Sequence, residues 1–239
     1  MSELTTMEPQ AEETDEMTPE ELALICDDRA ATYELLARLF REEVDQELFD
    51  RLMVTDYPVT SGNALMDEGY YQIAKHLSNA WVDPLMKLSI DYTKAFLGSG
   101  IDSYSAAYPF ESVYTSEKRL LMQGARDEVL AIYRSCGLDK AESWTVGEDH
   151  LAVELEFMRV LAQRTAASLR AGNEEQAFSQ LATQRNFLED HLANWVPVFT
   201  AEARRFADTL FYQGLVNLTE GFLEEDGALL SALLSSEEE

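Results

Sequence analysis

Apolar residues recur at helical spacing along most of this 239-residue chain, and this pattern limits the choice of fold more than any other feature. The capping box Thr18-Pro19-Glu20-Glu21 marks the first helix start. One apolar stripe follows it, formed by Leu22, Ile25, Tyr33, Leu36 and Phe40. Alternating patterns typical of strands are scarce throughout. We therefore predict an all-α fold, a single globular domain of about eight to ten helices.

Local signals also predict helix boundaries in the second half of the chain. Ser116 is expected to cap a helix that ends at Gly137, and Asp149 one that ends at Gly172. Trp195-Val196-Pro197 predicts a break between helices. These boundaries rest on short-range chemistry alone, because each depends on only a few neighbouring residues.

Acidic side chains outnumber basic ones by 45 to 18, which gives a net charge of −27. The excess is concentrated at the ends, since residues 1–28 and 220–239 contain no base. We therefore predict an acidic disordered tail at 1–17, a helical domain at 18–223 and an acidic tail at 224–239. Residues 98–109 are the candidate hinge, or a divide between two subdomains. The charge excludes nucleic acid and anionic membrane as partners.

The N-terminus lacks the pattern of a secretory signal, and no apolar run approaches the length that spans a bilayer. Cys26 and Cys136 lie far apart and fit no metal-ligand spacing, which favours a reducing compartment. A cytosolic protein is the simplest prediction.

Sequence motifs of common enzyme classes are missing. The chain contains no GxxxxGK[ST] phosphate loop and no GxGxxG, HExxH, CxxC or GxSxG motif. None of His76, His150 and His191 has a glutamate three residues before it, as di-iron helical bundles require. We therefore predict no catalytic residue, no cofactor and no metal ligand.

The segment Glu148–Met158 places an acidic-histidine cluster where a helix should begin. As an N-cap, Asp149 would accept a backbone N–H of the first turn, and His150 and Glu154 would share one face. Below them runs an apolar stripe of Leu151, Leu155 and Met158. A capped core helix that tolerates a histidine at its end fits this pattern equally well. A metal or acid–base site would need the cluster to meet Glu189-Asp190-His191 in space.

A second segment, Tyr108–Glu117, gathers two tyrosines, a proline and two carboxylates. Such a set can form a groove that accepts peptide backbone, guanidinium and apolar groups together. Ordinary packing of a loop is the alternative interpretation of Tyr108 and Tyr114.

Together, residues 108–114 and 148–158 resemble the TorD/DmsD family of redox-enzyme maturation chaperones, and the resemblance spans roughly residues 30–222. It implies a cytosolic, non-enzymatic chaperone of a molybdopterin-containing oxidoreductase. Such a chaperone holds the apo-enzyme, often through its twin-arginine leader, until the cofactor is inserted. The Asp-His pair of the family corresponds to Asp149 and His150, and its tryptophan and following proline to Trp81 and Pro84. One departure is Glu148, where family members often have proline.

A twin-arginine leader is basic and then apolar, so its receptor needs an acidic rim beside an apolar groove. We expect the rim to consist of Glu111, Glu117, Asp149 and Glu154. The expected apolar contacts are Trp81, Tyr108, Tyr114 and Leu151. Pro84, Pro109 and His150 complete the predicted peptide site. Two alternatives stay open: a chaperone of a mature catalytic subunit that is not exported, and a metal-binding helical enzyme. The sequence leaves monomer and dimer equally open.

Overall fold

The structure, a computed structural model, describes residues 17–58, 60–79, 82–98, 105–117, 119–121 and 124–235. The predicted tail at 1–17, apart from Met17, and half of the predicted hinge, residues 99–104, lie outside these ranges. Within them the chain forms ten α-helices, two π-helical segments and no strand, which confirms the all-α prediction and the expected number of helices.

The α-helices are α1 (Pro19–Arg41), α2 (Gln46–Met53), α3 (Ala64–Ser78), α4 (Pro84–Tyr92), α5 (Glu111–Thr115), α6 (Gly124–Ser135), α7 (Leu151–Arg170), α8 (Glu174–Phe187), α9 (Ala193–Phe206) and α10 (Leu210–Ser235). The π-helical segments are π1 (Thr93–Leu97) and π2 (Leu188–Leu192). The capping box predicted at Thr18 is present, with the Thr18 side chain and the Glu21 side chain each accepting the backbone N–H of the other residue.

The packing joins helices from both halves of the chain. α1 lies along α7, and α3 lies along α10. These helices share one apolar core, whose largest fully buried side chains are Trp195, Tyr33, Tyr212, Phe40 and Phe96. Because both main helix pairs connect elements from opposite sides of residues 98–109, the helices form one domain.

Glycines allow α3 and α10 to approach closely. A Cβ atom on Gly69 would lie 2.7 Å from the backbone nitrogen of Leu218 and 2.8 Å from the carbonyl oxygen of Gly214. A Cβ atom on Gly214 would lie 2.7 Å from the carbonyl oxygen of Gly69. Separations this short are not found in real structures, so both positions require glycine at this crossing.

The predicted domain end at residue 223 needs correction, because α10 continues to Ser235. Asp226 is buried and pairs with Arg29 of α1, with 2.9 Å between Nη2 and Oδ2. The hydroxyl of Tyr33 donates to the same carboxylate over 2.6 Å. Leu230 is fully buried one turn later. Residues 224–235 therefore belong to the helical domain.

Three predicted boundaries are also wrong. Ser116 is the C-cap of α5, and α6 begins only at Gly124. The N-cap of α7 is His150, one residue after the predicted Asp149. α9 continues through Pro197, so the N–H that this proline lacks costs the helix one internal hydrogen bond, to Ala193, without ending it. No helix among the described residues is long and apolar enough to cross a membrane.

Candidate functional site

The structure brings the two unusual sequence segments into direct contact. Phe110 and His150 form an isolated antiparallel β-bridge. The backbone N–H of Glu111 donates to the carbonyl of Asp149, and that of Leu151 donates to the carbonyl of Pro109, each over 2.9 Å. We call residues 108–115 and 147–154, with His191 and Trp195, the junction. It fixes α5 against the start of α7.

Asp149 is fully buried and caps α5 from outside that helix. Its Oδ2 accepts hydrogen bonds from the backbone N–H of Ser112 at 3.2 Å and from the hydroxyl of Ser112 at 2.5 Å. A carboxylate at this position satisfies an N–H that the helix start leaves without a partner, and it interacts favourably with the helix dipole. The role of Asp149 is therefore to hold two helix starts together.

His150 is buried and caps α7 with its ring. Its Nδ1 accepts the backbone N–H of Ala152 over 3.0 Å, so this nitrogen carries no proton. Burial, with a smaller contribution from the positive charge of Lys140, lowers the pKa of His150 to about 3. Its ring meets the ring of Phe110 edge to face, with 4.7 Å between centroids. The histidine is therefore neutral at physiological pH.

Two further carboxyl groups lie in the junction interior. The Nδ1 of His191 lies 3.1 Å from both carboxyl oxygens of Glu111, and both residues are buried. The indole N–H of Trp195 donates to Glu154 over 3.1 Å. Burial and the nearby charges of Glu111 and Asp149 raise the pKa of Glu154 well above its usual value. The junction therefore favours the neutral form of Glu154 over the ionised form.

The two acidic-histidine clusters of the sequence meet only in part. His191 reaches the junction, whereas Glu189 and Asp190 are exposed. No group of three or more His, Cys, Asp or Glu side chains suited to holding a metal ion occurs in the part of the chain that the structure describes.

The exposed acidic rim expected from the sequence is not present. Glu111, Asp149 and Glu154 are buried because each side chain bonds inside the junction. Leu151, an expected apolar contact, is also fully buried. Of the four expected rim residues, Glu117 alone is exposed. In this arrangement the buried side chains are inaccessible to a peptide.

The remaining predicted site residues have mixed positions. Tyr114 is half-buried and stacks on Trp195, with 5.6 Å between centroids and an interplanar angle of 17°. The hydroxyl of Tyr108 lies 2.8 Å from that of Ser105. Pro109 is buried, and half-buried Pro84 begins α4. Trp81 lies outside the described residues.

The predicted peptide-binding residues do not include Ser112, His191 and Trp195, whose side chains make hydrogen bonds in the junction. Only His191 carried a usable signal, because Glu189-Asp190-His191 repeats the order acid-acid-histidine found at residues 148–150. The contacts of Ser112 and Trp195 join residues 37 and 41 positions apart, and local pattern does not encode such distances.

The sequence of this all-helical domain matches a known protein family. The sequence profile of the family described as nitrate reductase delta subunit matches residues 63–201, more than half of the chain. The chain belongs to this family.

Curated relatives extend the match over nearly the whole chain. The chaperone protein TorD of Vibrio cholerae serotype O1 (El Tor Inaba N16961) is 26% identical over 220 residues, which cover 90% of this chain and 97% of that protein. The chaperone protein TorD of Photobacterium profundum is 30% identical over 148 residues, 62% of this chain and 66% of that protein. These matches confirm the resemblance found in the sequence, and the relatives are named as chaperones rather than enzymes.

Proposed function

We propose that this protein is a client-specific chaperone that binds the precursor of a molybdopterin-dependent oxidoreductase. It binds the twin-arginine leader, the apo-enzyme or both, and holds the client in the cytoplasm until the cofactor is inserted. The observation that carries this proposal is the alignment with TorD chaperones over 90% of the chain. The sequence motifs that first suggested the family form the junction, which is consistent with a common internal framework.

The buried junction residues act in this proposal as positioning residues. Asp149, His150 and Glu154 hold the starts of α5 and α7 and contact α9, but they do not touch the client. Of the predicted peptide-binding set, the exposed Glu117 and the half-buried Tyr108, Tyr114 and Pro84 are the described side chains that a client can still reach.

Affinity must come mainly from apolar contacts with the client. Micromolar binding requires about −8 kcal/mol. An exposed ion pair contributes only about 0.2–1 kcal/mol, whereas a fully buried leucine or phenylalanine contributes about 1.5–3 kcal/mol. The acidic surface of the chain therefore increases the association rate and the selectivity for a basic leader, while buried apolar side chains supply most of the binding energy.

Co-purification tests the proposal directly. The full-length chain, tagged and expressed at its native level in its own cells under anaerobic growth, should retain the catalytic subunit of a molybdopterin oxidoreductase. The retained subunit should lack the cofactor, because the chaperone releases the client after insertion. Retention of the cofactor-loaded enzyme alone, or of no such subunit, would contradict the proposal.

A second candidate client is a reductase catalytic subunit that is not exported. The family description favours it, because that description names a subunit of a nitrate reductase rather than an export factor. The sequence of the retained client separates the two. A retained catalytic subunit without a twin-arginine leader supports the second candidate, whereas a subunit whose retention is lost when its leader is deleted supports leader recognition.

A further inference from the structure

An apolar groove of about 310 Å³ lies between π2, α9 and α10. Its floor is formed by the buried side chains Leu188, Val196 and Leu223. The groove and the junction use different residues of π2 and α9. His191 and Trp195 bond within the junction, whereas Leu188 and Val196 line the groove. None of the predicted peptide-binding residues lines it.

The charge around the groove is acidic. Glu189 of π2 and Glu224 of α10 line it, and both are exposed. A third glutamate, Glu220, is already paired with Arg204. No basic side chain lines the groove among residues that the structure describes. It therefore offers apolar burial beside the negative charges of Glu189 and Glu224, and Glu224 also accepts a hydrogen bond from the Asn63 side chain over 3.3 Å.

A larger cavity elsewhere on the chain differs in this respect. It has a volume of about 530 Å³ and lies between α1, α2 and α7. Four carboxylates and four guanidinium groups line it, and several are already paired, such as Arg38 with Asp45 and Arg159 with Glu156. Because these charges balance, that cavity favours neither a basic nor an acidic ligand.

Charge identifies the occupant of the groove. Residues 1–16 and 236–239 contain acidic side chains and no basic ones, so the chain's own ends would be repelled. A second copy of the chain, with a net charge of −27, would be repelled as well. The remaining partner is a polypeptide with basic residues next to an apolar stretch.

We propose that the groove between π2, α9 and α10 is the docking site for the leader of the client, with arginines beside Glu189 and Glu224 and apolar side chains on the floor. This inference rests on the proposed function and adds the place of recognition. On α10 the lining runs from Glu220 to Ser231, about 16 Å at 1.5 Å per residue. That length accommodates about five extended residues.

Small residues keep the groove open on the α10 side. Gly227 and Ala228 both line it, and a Cβ atom on Gly227 would lie only 3.3 Å from Cδ2 of Leu188. Ala228 is exposed, so a larger side chain there fills the groove without disturbing the core. Ala228→Trp is therefore a suitable blocking variant. Ala167→Trp, at an exposed position of α7, is its matched control.

The test is fluorescence anisotropy with the full chain and a labelled synthetic peptide carrying two adjacent arginines followed by a leucine- and phenylalanine-rich stretch. We expect Ala228→Trp to weaken binding at least about tenfold and Ala167→Trp to leave it unchanged, with both variants melting near the wild-type temperature. The double substitution Glu189→Gln and Glu224→Gln should weaken binding by about two- to fivefold per charge. Glu128→Gln with Glu142→Gln, which removes the same charge at exposed positions elsewhere, should not.

The possible failures are distinguishable. If the wild-type chain binds the peptide and Ala228→Trp binds it equally well, the groove is not the docking site, while the proposed chaperone function stands. Equal weakening by both charge-removing double variants would reduce the role of Glu189 and Glu224 to general attraction and overturn the proposed arginine contacts. If the wild-type chain does not bind the peptide at all, both the docking site and leader recognition are wrong.

Discussion

Replacing His150 by asparagine should make the protein less sensitive to acid. Asparagine is a good N-cap residue and does not titrate, so it can replace the ring nitrogen that accepts the N–H of Ala152. In the wild-type protein, burial holds the pKa of His150 at about 3, against 6.5 in the unfolded chain. Below pH 6.5 the unfolded state therefore takes up a proton that the folded state does not, and stability falls as the pH falls.

The size of this effect follows from the unfolded pKa alone as long as the pH stays well above 3. Between pH 7.5 and 5.5, protonation of His150 in the unfolded state lowers the wild-type free energy of unfolding by about 1.4 kcal/mol. At pH 7.5 the variant should be less stable by about 1–3 kcal/mol, because the ring contact with Phe110 is lost. At pH 5.5 the difference in the free energy of unfolding between wild type and variant should be smaller by about 1.4 kcal/mol.

Urea denaturation at both pH values measures the difference and stays above the isoelectric point of about 4.3. Ser112→Ala is the control, because it removes a junction hydrogen bond but no titrating group. Its destabilisation should be the same at both pH values. The stability difference between the wild type and His150→Asn should change between the two pH values. If it does not, the conclusion that the folded state holds this histidine neutral is refuted.

Three further substitutions test the packing. Glu154→Gln should stabilise the protein relative to the wild type above pH 4.5, because there only the unfolded wild type ionises at this position. The difference in the free energy of unfolding should grow by about 1.4 kcal/mol per pH unit up to the raised folded pKa, and urea titration at several pH values measures it. Gly69→Ala should lower the free energy of unfolding by about 1–3 kcal/mol. Gly124→Ala should be nearly neutral in the same assay, because its added Cβ would meet Glu128 Oε1 at 3.9 Å, an ordinary van der Waals contact. Asp226→Ala should cost about 3–5 kcal/mol by leaving buried Arg29 unpaired; full stability would remove residues 224–235 from the domain.

Local signals in the sequence were sufficient to predict the helical architecture. Apolar spacing and the Thr18 capping box predict α1 correctly, because both act within a few residues. The end of α10 was predicted wrongly although its pattern was present. Leu229, Leu230, Leu233 and Leu234 continue the helical spacing to Ser235, but the acidic content of residues 220–239 suggested a tail. Charge is a poor guide there, since Asp226 is buried in an ion pair.

The candidate site could be predicted only in part, because its chemistry depends on contacts between distant residues. The sequence correctly drew attention to residues 108–114 and 148–158. It did not indicate that Glu111 bonds to His191, 80 positions away. The carboxylates of Glu111, Asp149 and Glu154 were therefore predicted at the surface, where most acidic side chains lie. The groove between π2, α9 and α10 could not be predicted either, because its floor forms only when α9 packs beside α10.

Burial of the family motif separates two effects that a binding assay alone would confuse. A substitution at Asp149 or Glu111 disturbs the starts of helices, so any loss of client binding should accompany a loss of stability. A substitution at Ala228 changes an exposed wall of the groove and should reduce binding at unchanged stability. π2 belongs to both regions, because His191 meets the junction while Leu188 lines the groove. Binding and unfolding measured on the same set of variants therefore distinguish residues that position this segment from residues that touch the client.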